Sequence, residues 1–324
     1  MRNCFPAYWV GILSILVSAP ACGQTESTRS EAMPTAQVDS VSFQNHRYNE
    51  FFRGNRDFSY ISPNGELGAP SKYVINGELI ASYFLLASPK SRLSVAVTQR
   101  FMARTRTDRS SPIRTPSFRL GTQVFYRLSA NVTKYKYLEA QFFHHSNGQD
   151  GAVFRPNGTY NTETGDFSTN YLQATYNWGT HLSNRHGTYY SVGYRWHAPF
   201  FGNSEGLQGN YGFGRLTGQA LYRLFARSKS ESSPSLTTER LRVTLQASYA
   251  VNKLDNWTLS AAQRRLNAEL SLWYIPSFSR DTGVFTTIGY YGEDPYNIYF
   301  NDRYAFIRFG IAAGFTRYTD ELRK

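Results

Sequence analysis

From about residue 48 onward, apolar and polar side chains alternate in one stretch after another. Leu241, Val243, Leu245, Ala247, Tyr249 and Val251 interleave with Arg240, Arg242, Thr244, Gln246 and Ser248. Ala305, Ile307, Phe309, Ile311, Ala313 and Phe315 interleave with Phe306, Arg308, Gly310, Ala312 and Gly314. A period of two is the mark of a β-strand with two unlike faces, because successive Cβ atoms point to opposite sides. An amphipathic helix would instead repeat every 3.6 residues. The same alternation runs through 93–100, 118–128, 189–196 and 265–274, with further candidates at 77–87, 168–179, 213–227 and 283–292. Together with Tyr137–Ser146 this makes eleven segments. Each is roughly 10 residues long, the length a tilted strand needs to cross a bilayer.

The segments predict an all-β fold, a transmembrane antiparallel β-barrel. A single-chain bacterial barrel closes with an even number of strands. Twelve are therefore expected, with a weak one still to be found within 48–62 or 200–212. Composition agrees. The chain is 41% hydrophobic, yet its mean hydropathy is −0.47, as expected when every second residue of a strand faces inward. Aromatics reach 16%, with 24 Tyr and 23 Phe, and Tyr and Trp gather at strand ends as in interfacial girdles. A soluble two-sheet protein is the competing fold. Against it stand the Arg and Gln on the polar faces, which would lack partners, and the long polar connections Arg104–Ser117 and Gly148–Ser168. The net charge of +12 is spread along alternating strands, not gathered in a stripe. Anionic headgroups or lipopolysaccharide suit that pattern, and nucleic acid is not expected as a partner.

The first residues read as a secretion signal, 1–21. Arg2 supplies the charge, Trp9–Val17 a short apolar core, and Ala19-Pro20-Ala21 a small-x-small cleavage site. Cys22 follows directly, which leaves a lipoprotein reading open. Both cysteines, Cys4 and Cys22, lie here, so the body of the chain is expected to hold no disulfide and no thiolate site. Residues 22–70 are expected to form a periplasmic N-terminal arm, with polar, aperiodic sequence from 24 to about 47. The barrel is expected over 71–315 and a polar tail over 316–324.

Chemistry concentrates in Tyr137–Gly148, Y-L-E-A-Q-F-F-H-H-S-N-G. As a strand it places Leu138, Ala140, Phe142, His144 and Ser146 on one face and Tyr137, Glu139, Gln141, Phe143 and His145 on the other. In a membrane barrel the first face meets lipid. His144 and Ser146 then form a candidate base and nucleophile. On the next strand, Leu172, Ala174, Tyr176 and Trp178 define the apolar face, and Asn170 falls in their register. Its amide can accept the imidazole N–H, fix the tautomer and leave the other ring nitrogen as base. An amide suits this place because a bare carboxylate beside hydrocarbon is costly.

The motif His144-His145-Ser146-Asn147-Gly148, followed by Ser168-Thr169-Asn170, resembles the bacterial outer-membrane phospholipase A family. So do Ser110-Ser111-Pro112-Ile113-Arg114, ahead of the third strand, and Gly289–Asn297, ahead of the last. The resemblance runs from about 70 to 315. It implies a twelve-stranded barrel with its active site on the outer surface, and calcium-dependent hydrolysis of glycerophospholipid acyl esters by a homodimer in the outer membrane. By the same resemblance Ser146 is the nucleophile, His144 the base, Asn170 the orienting group, and Gly148 supplies an oxyanion N–H. Calcium would lie at the subunit interface, with Ser110 given by the partner and backbone carbonyls near Gln149 and Asp166. The stretch between Gly148 and Asn170 is longer than in the family, and Asp150 and Asp166 are carboxylates that could serve instead. Two other readings stay open: a lipid A deacylase with Glu163 or Asp166 in place of Asn170, and a non-catalytic barrel.

Overall fold

Alternation along the chain becomes alternation across a wall. The computed structural model describes residues 40–63, 66–70, 73–106, 113–183, 185–198, 202–230, 233–279, 282–290, 297–302, 304–314 and 317–319. Helix α1 (Ser40–Gly54) comes first, followed by β1 (Ser59–Pro63), β2 (Tyr73–Leu86), β3 (Leu93–Arg106) and β4 (Ile113–Arg127). Next come β5 (Lys134–Ser146), β6 (Ser168–Ser183), β7 (His186–Trp196), β8 (Gly214–Ser230) and β9 (Ser233–Ala250). After a single turn, α2 (Ala262–Arg265), follow β10 (Leu266–Tyr274), β11 (Thr282–Tyr290), β12 (Phe306–Ala313) and β13 (Arg317–Thr319). Each of the first twelve strands pairs antiparallel with its sequence neighbours, and β12 pairs with β1, so the sheet closes as a twelve-stranded barrel. Among the described residues no helix is long and apolar enough to cross a membrane.

The strand missing from the alternation is β1. It is five residues long and ends at Pro63, too short for a periodic signal. Ile61 lies opposite Ile311 on one side and Gly77 on the other, which joins the two ends of the sheet. The sheet thus begins inside the stretch expected to precede it. The described residues of 200–212 hold no strand, only a 3-10 turn at Glu205–Leu207. At the other end, β13 pairs with β9 within the expected polar tail.

Faces follow the predicted register. Along β5 exposed and buried residues alternate, with Leu138 48% and Phe142 42% exposed while Glu139 and His145 are 6% and 2% exposed. The inward face is polar and carries ion pairs, as where Arg100 meets Asp57 at 2.8 Å and Glu78 at 2.7 Å. A polar cavity of about 240 Å³ lies among Asp57, Arg100, Arg119, Glu139 and Arg195.

Residues 40–54 differ from the aperiodic arm and alternating strand read in the sequence. They form a helix seated inside the end of the barrel that carries the short turns. Tyr48, Phe51 and Phe52, spaced to share one helical face, are all buried. Phe51 stacks on Tyr135 at 4.1 Å and Phe52 on Phe125 at 4.6 Å between centroids. Asn45 and Asn49 donate to the turn carbonyls of Pro89 (2.6 Å) and Ala87 (3.2 Å). The negative end of a helix attracts cations. Here Arg223 and Arg242, both buried, donate to the Gly54 carbonyl at 3.0 and 2.8 Å. A second apolar cluster lines the β10–β12 wall and meets the long loops at Phe167, Leu207, Tyr211 and Phe300.

Candidate active site

The site is built by the pairing of β5 with β6, which sets His144 opposite Asn170 and Ser146 opposite Ser168. Opposite residues in an antiparallel ladder alternate between hydrogen-bonded pairs and closer, non-bonded pairs. The Asn147 N–H donates to the Phe167 carbonyl at 3.2 Å, so that pair is of the bonded kind. His144 and Asn170, three steps along the ladder, are then of the close kind. Their side chains meet: His144 Nδ1 donates to Asn170 Oδ1 at 2.9 Å. The remaining nitrogen, Nε2, keeps its lone pair. Both groups look outward among Leu120, Phe142 and Leu172, which are 52%, 42% and 41% exposed.

Ser146 ends the strand, and its Oγ accepts the Gly148 N–H at 3.1 Å. The serine oxygen is the acceptor in that bond, so its proton is left for another group. Among the described residues no hydrogen bond joins His144 to Ser146. Gly148 turns the chain with φ +62°, and a Cβ there would stand 2.8 Å from a Phe118 ring carbon. The backbone angle favours glycine, and a side chain there would have to displace the Phe118 ring.

The neighbours of these residues hold the turn in place. His145 points inward, where Ser117 Oγ lies 2.8 Å from its Nε2, so the histidine doublet is divided between the two sides of the wall. Asn147 is fully buried. Its amide donates to the Gly165 carbonyl at 2.7 Å, and its Oδ1 accepts the Phe167 N–H at 3.1 Å. Asn297, the last residue of the Gly289–Asn297 stretch, donates to the His145 and Phe167 carbonyls at 3.3 and 3.0 Å. The sequence showed no sign of that bracing role, which depends on a contact between distant loops. Tyr291–Tyr296 of the same stretch lie outside the described residues.

Of the candidate calcium ligands, Ser110 lies outside the described residues, Gln149 is half-buried and Asp166 is exposed. Gly151 bridges Gly165, and the Asp166 N–H donates to the Gly151 carbonyl at 2.9 Å, which folds the ends of the loop together. Although the residue is exposed at the surface, partial desolvation of its carboxyl pushes Asp166 above its ordinary value; His144 acts in the opposite direction, and Asp150 adds to the rise. Among the described residues no hydrogen bond ends on the Gln149 or Asp166 carbonyl oxygens, and no group of three or more His, Cys, Asp or Glu side chains stands ready for a metal. Carbonyl and carboxylate oxygens are of the kind a hard cation takes, and the loop carries both at Gln149, Asp150 and Asp166. Glu163 does not approach His144; it lies 3.7 Å from Arg155 in an exposed ion pair.

Comparison with solved structures agrees with this architecture. The chain is similar to the outer membrane phospholipase A from Escherichia coli, with a TM-score of 0.52, 13% identity, and coverage of 85% of this chain and 98% of that one. An active-site asparagine-to-alanine mutant of that enzyme matches with the same values. The calcium-bound dimer of the Salmonella typhi outer membrane phospholipase matches with a TM-score of 0.51, at the same identity and coverage. No family model and no curated protein matches the sequence. At 13% identity the likeness is one of fold: a twelve-stranded antiparallel barrel shared with outer membrane phospholipases.

Proposed function

We propose that this protein is an outer-membrane phospholipase that hydrolyses acyl esters of glycerophospholipids, with Ser146, His144 and Asn170 as its catalytic residues. The observation that carries the reading is the 2.9 Å bond from His144 Nδ1 to Asn170 Oδ1 on the outward face, two residues from Ser146. A donating Nδ1 leaves Nε2 to accept a proton. In the proposed cycle Nε2 takes the Ser146 proton as Oγ attacks the ester carbonyl carbon. The Gly148 N–H, already 3.1 Å from Oγ, donates to the oxygen that becomes negative. His144 then returns the proton to the leaving alcohol. Water, deprotonated by the same nitrogen, releases the fatty acid and restores Ser146. The surrounding Leu120, Phe142 and Leu172 would lie along the acyl chain and keep bulk water away.

Calcium is part of the proposal. Its ligands here would be the Gln149 and Asp166 carbonyls, with the Asp150 and Asp166 carboxylates close by and Ser110 from a second copy. When bound there, the cation supplies positive charge beside the developing oxyanion. The active form would be a homodimer in the outer membrane, reached by way of the 1–21 signal.

The test is fatty-acid release from phospholipid micelles, with and without calcium chelation, by the wild type and Ser146→Ala. Calcium-dependent release that vanishes in Ser146→Ala is expected. Mass spectrometry of the products would detect lysophospholipid; deacylated lipid A in its place would redirect the reading to that substrate.

A further inference from the structure

Strand β6 outruns its neighbour. Its ladder with β7 begins only at Leu172 opposite Trp196. Ser168–Asn170, the end that carries the proposed triad amide, therefore has β5 on one side and, among the described residues, no strand on the other. The N–H groups of Ser168 and Asn170 point to that open side, since both residues belong to the close, non-bonded pairs with β5. An unpaired N–H at a sheet edge invites water or another partner, and lets the strand end fray.

The loop between β7 and β8 closes this gap with side chains. Asn203 Oδ1 accepts the Asn170 N–H at 2.6 Å. Ser204 Oγ accepts the Ser168 N–H at 2.8 Å, and the Ser204 N–H donates to the Ser168 carbonyl at 3.0 Å. Asn203 is itself held, because its amide donates to the Ala198 carbonyl at 2.8 Å. Gly202, with φ +75°, makes the turn that delivers it. Two side chains thus take the place that a continued β7 would fill with backbone.

We infer that Asn203 is a positioning residue for the catalytic amide. It fixes the backbone of Asn170 at the residue whose Oδ1 holds His144 in its working tautomer. This inference rests on the proposed role of the His144–Asn170 pair. The geometry explains why a fixed backbone matters at this point. The His144–Asn170 bond is exposed on the outward face of the wall, so the strand backbone that carries it sets its geometry. A small rotation of the β6 end would carry Oδ1 out of the imidazole plane and release the ring.

The test uses the full-length barrel in micelles with Asn203→Ala and Asn203→Asp, the latter keeping an acceptor for the Asn170 N–H. Two readouts are taken: the imidazole nitrogen chemical shifts of His144, which report its tautomer, and kcat with KM for phospholipid. Asn203→Ala is expected to shrink the Nδ1–H tautomer of His144 and to lower kcat on the order of tenfold with KM unchanged, while Asn203→Asp recovers most of both. A His144 tautomer and a kcat both unchanged in Asn203→Ala would overturn the inference. So would equal losses in the two variants accompanied by an unaltered tautomer, since that outcome assigns Asn203 to loop folding alone. Should Asn203→Ala fail to fold, hydrogen exchange of the wild-type Asn170 amide decides instead: protection is expected, and exchange as fast as a free amide would refute the bond. A wild type without esterase activity but with the tautomer response would remove the phospholipase reading and leave the Asn203 inference standing.

Discussion

The reacting groups differ in how much each must do, and the variants should rank accordingly. Ser146→Ala removes the proposed nucleophile and His144→Ala the proposed base. Loss of a positioned base costs about 10²- to 10⁴-fold in rate, and both variants should fall at least that far. Both side chains face outward and contribute little packing, so heat-stable migration of the barrel on gels should persist. Asn170→Ala should be milder than either, because an orienting group acts through the base. Asp166 gives a pH dependence with a definite sign. Its carboxyl is raised by partial burial, with His144 opposing and Asp150 reinforcing, so it stays protonated at a pH where an ordinary aspartate is already charged. Calcium affinity should therefore weaken as pH falls through a window shifted upward from that of an ordinary aspartate. Calorimetric titration across that window should show a flatter dependence in Asp166→Asn.

Among elements, α1 is the piece whose removal tests packing most directly. Phe51 is fully buried, stacked on Tyr135 and edge-on to Tyr137. Phe51→Ala should cost about 3–5 kcal/mol, read as a lower unfolding midpoint, with the β-sheet signal of the folded barrel unchanged. The turn after β5 is a second element with a clear dependence. Gly148→Ala would put a Cβ 2.8 Å from the Phe118 ring at φ +62°, a conformation that costs an L-residue about 1–2 kcal/mol. Phe118 is 39% exposed and can swing aside. Activity should thus drop further than stability, because the displaced group is the N–H proposed to donate to the oxyanion. Parallel rate and melting measurements check the split.

At the scale of the whole molecule, α1 fills the short-turn end of the lumen and aromatic side chains from the long loops fill much of the other. The interior cavity is lined by side chains that bind one another, as in the Arg100 pairs with Asp57 and Glu78. Wild-type protein in planar bilayers should be electrically silent, and removal of 40–54 should open a conducting state. Assembly is the other property of this scale. The proposed triad lies on the outward face of the wall, so burial would not restrain it, and restraint would fall to completion of the cation shell by a second copy. Dimerisation and calcium affinity should rise together, as linkage requires. Activity in detergent should be steep in protein concentration, and Ser110→Ala should raise the calcium needed more than it lowers the saturated rate. A monomer fully active at high dilution without calcium would refute this scheme and leave the triad untouched.

Alternation with period two was enough to read the wall of the barrel from the chain. It identified the strands from β2 to β12, including β5 with His144 and Ser146 outward and His145 inward, because a strand's register allows only two faces. Asn170 was legible by the same rule, applied one strand on. The pattern failed where local sequence does not determine structure. Residues 40–54 could have been arm or strand until the barrel offered Tyr135, Tyr137 and Phe125 as a surface for Tyr48, Phe51 and Phe52. β1 carries too few residues to show a period, and only the need of β12 and β2 for partners makes it a strand. Asn203 and Asn297 carry no motif at all; each matters through a hydrogen bond to a residue far away in sequence. Side-chain periodicity is a local property and survives in the bare sequence. The choice of which loop satisfies an open strand edge depends on the path of the folded backbone, and only the tertiary structure contains it.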